Sequence, residues 1–158
     1  MDGLTHLDDA GHARMVDVSA RDVTLRTATA TGRVVAAAAV LGAIASGRVP
    51  KGDVAATARV AGIMAAKRTP DLVPLCHPLA LHAVEVDVEV RNDAVHLTAR
   101  VRTADRTGVE MEALTAVAVA GLTVIDMIKA LDPAASLTDV MVEAKDGGRS
   151  GSWTRPRP

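Results

Sequence analysis

The stretch that decides the fold is Val-Glu-Val-Asp-Val-Glu-Val-Arg-Asn-Asp-Ala-Val-His-Leu-Thr-Ala-Arg-Val, residues 84–101. Apolar and polar side chains alternate on both sides of Asn92-Asp93, and this alternation predicts two half-buried strands joined by a tight turn. One face of the hairpin carries valine, leucine and alanine, while the other is mostly charged. The pattern predicts an antiparallel sheet with one face on a core and the other in contact with water or a partner.

Patterns on either side of the hairpin complete the predicted fold. The predicted elements are a strand over 23–28, a helix over 34–46, a helix from Asp53 to about Arg68, a long helix over 113–131 and a strand over 137–143. Strand, two helices, hairpin, helix and strand is the order of a split βαβ arrangement. The sequence therefore predicts a ferredoxin-like α+β fold, with helices packed on one face of an antiparallel sheet.

Length and composition predict one domain with a core of small side chains. The chain has 158 residues, 49% of them hydrophobic, with one tryptophan and no phenylalanine or tyrosine. Alanine and valine must therefore fill the interior. Residues 1–14 are polar without a period, and glycines interrupt 147–158. We expect a flexible N-terminal arm over 1–14, a single domain over 15–146 and a flexible tail over 147–158.

Charge and cysteine usage exclude several classes of partner. The formal net charge is −1, so the chain has no overall attraction for nucleic acid or an acidic membrane. The predicted strands carry no aromatic side chains for RNA bases to stack on.

Cys76 is the only cysteine, which fits a reducing cytoplasm. The longest uncharged runs, 34–47 and 113–125, are shorter than the roughly 20 residues that cross a bilayer. We expect a cytoplasmic protein with no signal peptide.

The long helix carries a pair of charges in an apolar setting. Asp126 and Lys129 are the only charged residues from Ala113 to Leu131. They are three residues apart, so they share a helix face. Charged groups in an apolar environment cost free energy unless they form an ion pair or take part in function. This pair is the first candidate for chemistry.

Two glutamates precede the same helix. Helix capping accounts for acids at this position, but Glu110 and Glu112 are two residues apart and point to different faces, so one role cannot explain both. About 21 Å of helix separates Glu112 from Asp126. A small ligand cannot easily contact both ends within one subunit. We therefore expect a site assembled from two chains, with helix starts meeting helix ends.

A set of basic residues surrounds the second predicted helix. Lys51 precedes its N-terminus, where backbone N–H groups favour anions, and Lys67 and Arg68 end it. Arg26 lies on the first predicted strand. The set fits either a phosphate chain or solvated surface charge, and no Walker-type motif is present.

His77 is held between Cys76 and Pro78 in a proline-rich stretch that predicts a stiff loop. A histidine there is either a proton donor and ligand orienter or a structural residue, and we interpret Cys76 as a packed thiol. The N-terminal arm also carries potential metal ligands, but a solvated tail is the favoured interpretation, so we predict no metal site. These potential ligands are His6, Asp8, Asp9 and His12.

Several long segments of the chain resemble one known family. The resemblance covers about residues 4–151 and is to the MoaC family of cyclic pyranopterin monophosphate synthases. The segments that carry it are Met15–Ser19, Lys51–Val54, Thr57–Arg59, Ala65–Thr69, Pro74–Leu79, Thr107–Thr115, Asp126-Met127, Lys129-Ala130, Ala144-Lys145 and Gly147-Gly148.

The resemblance implies a reaction and an assembly. The family converts a cyclised dihydroguanosine triphosphate into cyclic pyranopterin monophosphate and diphosphate, a step in molybdenum cofactor biosynthesis. It uses no organic cofactor or metal redox centre. It has the ferredoxin-like fold and forms a homohexamer, a trimer of dimers, with each site at a dimer interface.

The resemblance also implies roles for particular residues. The matching catalytic residues are Asp126, Lys129 and Lys51. The matching substrate-binding residues are Leu75, Cys76, His77, Glu110, Met111 and Glu112, and Lys67 and Arg26 fit phosphate binding. The alternative is a nucleotide-sensing module without catalysis, which would need the basic cluster but not the Asp126–Lys129 pair.

Overall fold

A computed structural model describes residues 7, 8 and 10–157. The predicted N-terminal arm therefore lies partly outside the described residues, as do His6 and Asp9. The elements are β1 (Thr24–Val35), α1 (Ala38–Ala45), α2 (Val54–Ala66), α3 (Thr69–Leu72), β2 (Ala83–Val90), β3 (Val95–Asp105), α4 (Glu110–Ile128), β4 (Ser136–Asp146) and β5 (Trp153–Thr154).

The strands form one antiparallel sheet in the order β2-β3-β1-β4-β5. α1 and α2 connect β1 to β2 with β3 between them, and α4 connects β3 to β4 with β1 between them. Each crossover therefore straddles one strand, which is the split βαβ order. The predicted α+β fold class is confirmed.

The hairpin of β2 and β3 follows the register that its alternation predicts. Val90 pairs with Val95 and Ala83 pairs with Arg102. Val86 and the inward residues of β3, such as Leu97, are buried against the helices, while Val84, Val88 and Val90 are partly buried. The opposite face is open and charged, with ion pairs such as Arg100–Asp87 lying across neighbouring strands.

The predicted helix over 34–46 is wrong at its start, because β1 continues to Val35. Val34 pairs with Val95 on one side and with Leu137 on the other, and its side chain is fully buried. Pairing on both sides and a β-branched side chain outweigh the helix propensity of the following alanines. α1 begins only at Ala38.

Other boundaries also differ from the prediction. α4 begins at Glu110 and ends at Ile128, so Glu110 and Glu112 lie in its first turn rather than before it. Strand β5 falls inside the predicted flexible tail, where Trp153 pairs with Lys145 of β4. The sequence shows no alternation over two residues, so a strand this short carries no periodic signal.

Small residues let α2 and α4 pack closely on the sheet. A Cβ at Gly62 would lie 2.9 Å from the backbone oxygen of Ala116, and one at Gly32 would lie 2.7 Å from a methyl of Val117. α4 has the length and apolar composition to cross a membrane, but over half of its apolar window is buried against the sheet and α2. It is therefore the core helix of the domain.

The directions of α2 and α4 place the site residues. Lys51, just before α2, contacts Asp126 near the end of α4, whereas Gly62, further along α2, lies against Ala116 near the start of α4. The two helices are therefore antiparallel. Lys67, which caps the end of α2, lies toward the start of α4.

Candidate active site

Two lysines hold one carboxylate at the end of α4. Lys51 Nζ donates to the backbone oxygen of Asp126 at 2.7 Å and to its Oδ2 at 3.0 Å. Lys129 Nζ lies 2.7 Å from Oδ1 of the same carboxylate. We call these three residues the lysine–aspartate cluster. It brings together the three residues to which the resemblance assigns catalysis.

Local sequence explains how Lys51 reaches this position. Gly52 has a φ of +100°, a conformation that glycine adopts without strain, so the chain turns sharply between Lys51 and α2. Asp53 then caps α2 by accepting a hydrogen bond from the Ala56 N–H at 2.9 Å. Lys51 thus faces the last turn of the antiparallel helix α4.

The electrostatics of the cluster favour an ionised carboxylate. Hydrogen bonds from Lys129 and then Lys51 lower the pKa of Asp126 below its ordinary value. The cluster therefore carries two ammonium groups and one carboxylate, a net charge of +1. All three side chains are about half exposed, so the cluster is open to a ligand or to a second chain.

A second set of residues forms a cavity of about 280 Å³ at the start of α4. Leu75, Cys76 and His77 supply one wall from the loop after α3, and Met111 and Glu112 supply another from α4. We call this cavity the loop pocket. It brings together the predicted substrate-binding residues, Glu110 included. Val16, Val18 and Arg21, from the segment before β1, also line it.

Glu112 is buried in the loop pocket, with only 3% of its surface exposed. Burial, with a smaller contribution from the Glu110 carboxylate, raises the pKa of Glu112 to about 7. Glu112 can therefore exchange a proton near neutral pH. Burial and the nearby Glu112 also raise the pKa of the Cys76 thiol, which agrees with its interpretation as a thiol rather than a nucleophile.

His77 contacts the segment before β1. Its Nε2 lies 2.6 Å from the backbone oxygen of Val16, and because a carbonyl only accepts, Nε2 is the donor. The proton on Nε2 is thus committed to Val16, and Nδ1 is the ring nitrogen left for other contacts. Val16 and Val18 were not predicted as site residues, although Met15–Ser19 is one of the segments that carry the resemblance.

Glu110 lines the loop pocket together with Glu112 and also forms an ion pair with the sheet. Its Oε1 pairs with Lys145 Nζ of β4 at 3.2 Å. Its carboxylate also folds back against Gly108, so a side chain at that position would require the Glu110 carboxylate to move. Sequence reasoning assigned no role to Lys145, and the only signal for it was its place in the Ala144-Lys145 motif.

The structure does not bring the predicted basic set together. Lys51 and Lys67 lie at opposite ends of α2, about 20 Å apart along a helix of this length. Arg26 lies apart from the lysine–aspartate cluster, on β1, where its Nε and Nη2 donate to the backbone oxygens of Asp105 and Arg106. The phosphate-binding prediction for Lys67 and Arg26 stays a prediction.

Among the described residues, no group of three or more histidine, cysteine, aspartate or glutamate side chains is arranged to hold a metal ion. In the N-terminal arm, Asp8 and His12 contact each other at 3.3 Å.

Comparison with known proteins gives a consistent family assignment. The model of the MoaC family matches residues 15–148. A protein of Streptomyces coelicolor named cyclic pyranopterin monophosphate synthase is 65% identical over 154 residues, which cover 98% of this chain and 91% of that protein. Proteins with the same name from Nocardioides and Rhodospirillum rubrum are 62% and 59% identical, and the alignments cover 97% of this chain in both cases and 96% and 93% of those proteins. The chain belongs to the MoaC family.

Proposed function

We propose that the protein is a lyase that converts a cyclised dihydroguanosine triphosphate into cyclic pyranopterin monophosphate and diphosphate, in molybdenum cofactor biosynthesis. The observation that carries this proposal is the lysine–aspartate cluster, in a chain whose relatives are named for that synthase. A nucleotide-sensing module needs cations to bind phosphate groups, but it does not need a carboxylate held between two ammonium groups.

The reaction needs both proton transfer and charge neutralisation. Ring opening and reclosure move protons on and off nitrogen and oxygen, for which Lys51 and Lys129 supply ammonium donors and Asp126 holds them in place. When the cyclic phosphate forms, a sugar hydroxyl oxygen bonds to the α-phosphorus. The bond from that phosphorus to the bridging oxygen breaks, diphosphate leaves with the electron pair, and the hydroxyl proton passes to a base of the site.

The loop pocket suits the heterocycle of this substrate. Leu75 and Met111 give it apolar walls, while His77 and Glu112 place polar groups inside it. With a pKa of about 7, Glu112 can give a proton to a ring nitrogen or take one from it at neutral pH. We assign substrate binding to Leu75–His77 and Glu110–Glu112, and keep Lys67 as a further candidate at the same end of the helices.

The two groups of site residues belong together only if two chains meet. Within one chain, about 21 Å of helix separates Glu112 from Asp126. Large apolar side chains are exposed on adjacent helices between these ends, including Leu122 of α4 and Val60 and Met64 of α2, each more than half exposed. Such a patch marks an interface. A second copy of α4, packed antiparallel around Val119, would bring its Asp126 beside the first copy's Glu112.

We therefore propose a dimer with two composite sites. A trimer of such dimers, as the resemblance implies, needs a second kind of contact. The open face of the sheet is the other broad surface that the described elements leave uncovered. We place the enzyme in the cytoplasm, where Cys76 stays a thiol.

The test is to incubate the purified protein with the cyclised substrate and to follow diphosphate and pyranopterin by mass spectrometry. Asp126→Asn and Lys51→Ala should each lower turnover about a thousandfold, since positioned acid–base groups contribute on this scale. Both side chains are half exposed, so folding should be retained. Arg100→Gln, on the open sheet face and distant from both groups, is the control.

Two outcomes would contradict the proposal. Substrate binding without any conversion by the unmodified protein would favour the sensing module. Turnover retained in Asp126→Asn would remove the cluster from the mechanism.

A further inference from the structure

The Asp132 carboxylate joins two segments that lie far apart in the sequence. Asp132 follows the last turn of α4, and its Oδ2 accepts a hydrogen bond at 2.7 Å from the backbone N–H of Ala37, which directly precedes α1 and is 95 residues away. Its Oδ1 accepts a second hydrogen bond from the Ala134 N–H at 3.0 Å. The carboxylate thus ties the start of α1 to the loop after α4, and the proposed function does not use it.

α1 depends on this distant carboxylate because its own sequence provides no cap. Residues 36–39 are all alanine, and the start of α1 has neither a side-chain cap nor an acidic residue in its first turn. The first N–H groups of a helix have no partner within the helix, and a negative charge beside them is favourable. Asp132 therefore supplies, from the end of α4, the acceptor and the charge that a helix start normally obtains from its own sequence.

The chain from α1 to Lys51 is held by hydrogen bonds along its length. Gly47, with a φ of +66°, ends α1 in a left-handed turn, and the Arg48 N–H donates back to the last turn of the helix at 2.9 Å. The Gly52 N–H then donates to the backbone oxygen of Val49 at 3.0 Å, and the side chain of Val49 is buried. Because these turns follow one another directly, the position of α1 sets the position of Lys51.

Two links join the two sides of the lysine–aspartate cluster. One is the ion pair of Lys51 with Asp126, and the other is the hydrogen bond of Asp132 with Ala37. The N–H of Asp132 itself donates to the last residue of α4, Ile128, at 2.9 Å, so Asp132 moves with the end of that helix.

Only the second link can persist through a catalytic cycle. The ion pair must open when the Lys51 ammonium turns to the substrate, because a proton donor has to contact the group that it protonates. The hydrogen bond of Asp132 uses no side chain of the cluster. It therefore holds the backbone of Lys51 in place while the ion pair is open.

We propose that Asp132 is a positioning residue for Lys51: it fixes α1 to the end of α4 and so keeps the Lys51 ammonium within reach of the reacting groups. This inference rests on the proposed function for the reaction itself. A catalytic group displaced by about 1 Å can lose roughly a hundredfold in rate, so a carboxylate outside the site can control kcat. The loop pocket lies at the other end of α4, so substrate binding there does not depend on Asp132.

Two substitutions break the link from opposite sides. In Asp132→Ser the hydroxyl can still accept from the Ala134 N–H, two residues on, but it is too short to reach Ala37. Ala37→Pro removes the donor instead, and the φ of −58° at this position is one that proline adopts. Each variant should lower kcat roughly tenfold with KM within about twofold, and the double variant should lose no more than either alone.

The matched control is Asp87→Ser, which removes a carboxylate of the open sheet face. Asp87 pairs with Arg100 and both side chains are exposed, so the loss of this pair should leave kcat within about twofold of the unmodified protein.

A second measurement follows Lys51 itself and needs no substrate. An amine-acetylating reagent is applied briefly, and mass spectrometry of peptides compares the acetylation rate of Lys51 with that of Lys67, which lies at the other end of α2. Release of α1 should make Lys51 react roughly threefold faster relative to Lys67 in Asp132→Ser and in Ala37→Pro, an effect on the scale of one weakened hydrogen bond. Asp87→Ser should leave the ratio unchanged.

The results separate this inference from the proposed function. Turnover by the unmodified protein with kcat retained in Asp132→Ser, or additive losses in the double variant, would overturn the positioning role and leave the function standing. Absence of turnover in the unmodified protein would remove the function, and the acetylation of Lys51 would then decide the link: a faster rate supports it and an unchanged rate overturns it. If Asp132→Ser does not fold, Ala37→Pro gives the same decisions.

Discussion

The two ends of α4 carry acidic residues in opposite electrostatic states. At the start, Glu112 is 3% exposed and burial raises its pKa to about 7. At the end, Asp126 is exposed and two lysines lower its pKa. One helix thus presents an acid that titrates at neutral pH and a carboxylate that stays ionised. The environment of each group, rather than its chemical type, decides which proton transfers it can perform.

The largest expected effect concerns whether the two ends work together across two chains. Lys51→Ala and Glu112→Gln should each abolish most activity alone. Co-expressed with different affinity tags and purified through both tags, they should recover up to about half of the activity, because every doubly tagged dimer holds one intact composite site of two. Turnover of the doubly tagged fraction measures this recovery.

The matched control uses two defects at the same end of α4. When Lys51→Ala and Asp126→Asn chains are co-expressed, every chain carries an altered lysine–aspartate cluster, so no composite site is intact. These assemblies should recover no activity. Recovery in this control, or none in the first pair, would contradict a site shared between chains.

A smaller effect concerns the cost of burying Glu112. Its pKa is raised from an ordinary 4.5 to about 7 in the folded protein. Between these values the unfolded chain loses its proton first, so stability falls as pH rises from about 4.5 to 7 and the penalty is complete above 7. At pH 8, Glu112→Gln should therefore have a free energy of unfolding up to about 3 kcal/mol larger than the unmodified protein and should unfold at a higher urea concentration. At low pH the free energy of unfolding should show no such increase.

Urea unfolding at both pH values and one protein concentration measures this difference. The exposed Glu85 of β2 supplies the control, since Glu85→Gln should change little at either pH. If Glu112→Gln increases the free energy of unfolding equally at pH 5 and pH 8, then Glu112 does not titrate between these pH values.

The smallest expected effect concerns the segment that His77 holds over the loop pocket. Asparagine reaches only as far as Nδ1 of histidine, while glutamine reaches about as far as Nε2, the atom that donates to Val16. His77→Asn should therefore speed tryptic cleavage at Arg21 about fivefold, the effect of one lost hydrogen bond, and His77→Gln should not. Mass spectrometry of timed digests measures the rates, and equal cleavage in both variants would contradict the role of this bond.

Sequence could predict the features whose cause is local. The hairpin over 84–101 and its register follow from alternation, and the closeness of Asp126 and Lys129 follows from helix geometry. The extension of β1 through Val34 could not be predicted, because its cause is pairing with β3 and β4. Lys51 approaches Asp126 only through tertiary packing. The motifs named most of these residues, but spacing alone did not show which of them meet.

The short strand β5 has a consequence for spectroscopy. Trp153, the only aromatic residue of the chain, lies on β5 and stacks with Arg155, whose guanidinium carbon is 5.6 Å from the ring centre. The core contains no fluorophore that reports on its own packing. Intrinsic fluorescence therefore reports the attachment of the C-terminal edge of the sheet and is a local indicator of that edge rather than a measure of global unfolding.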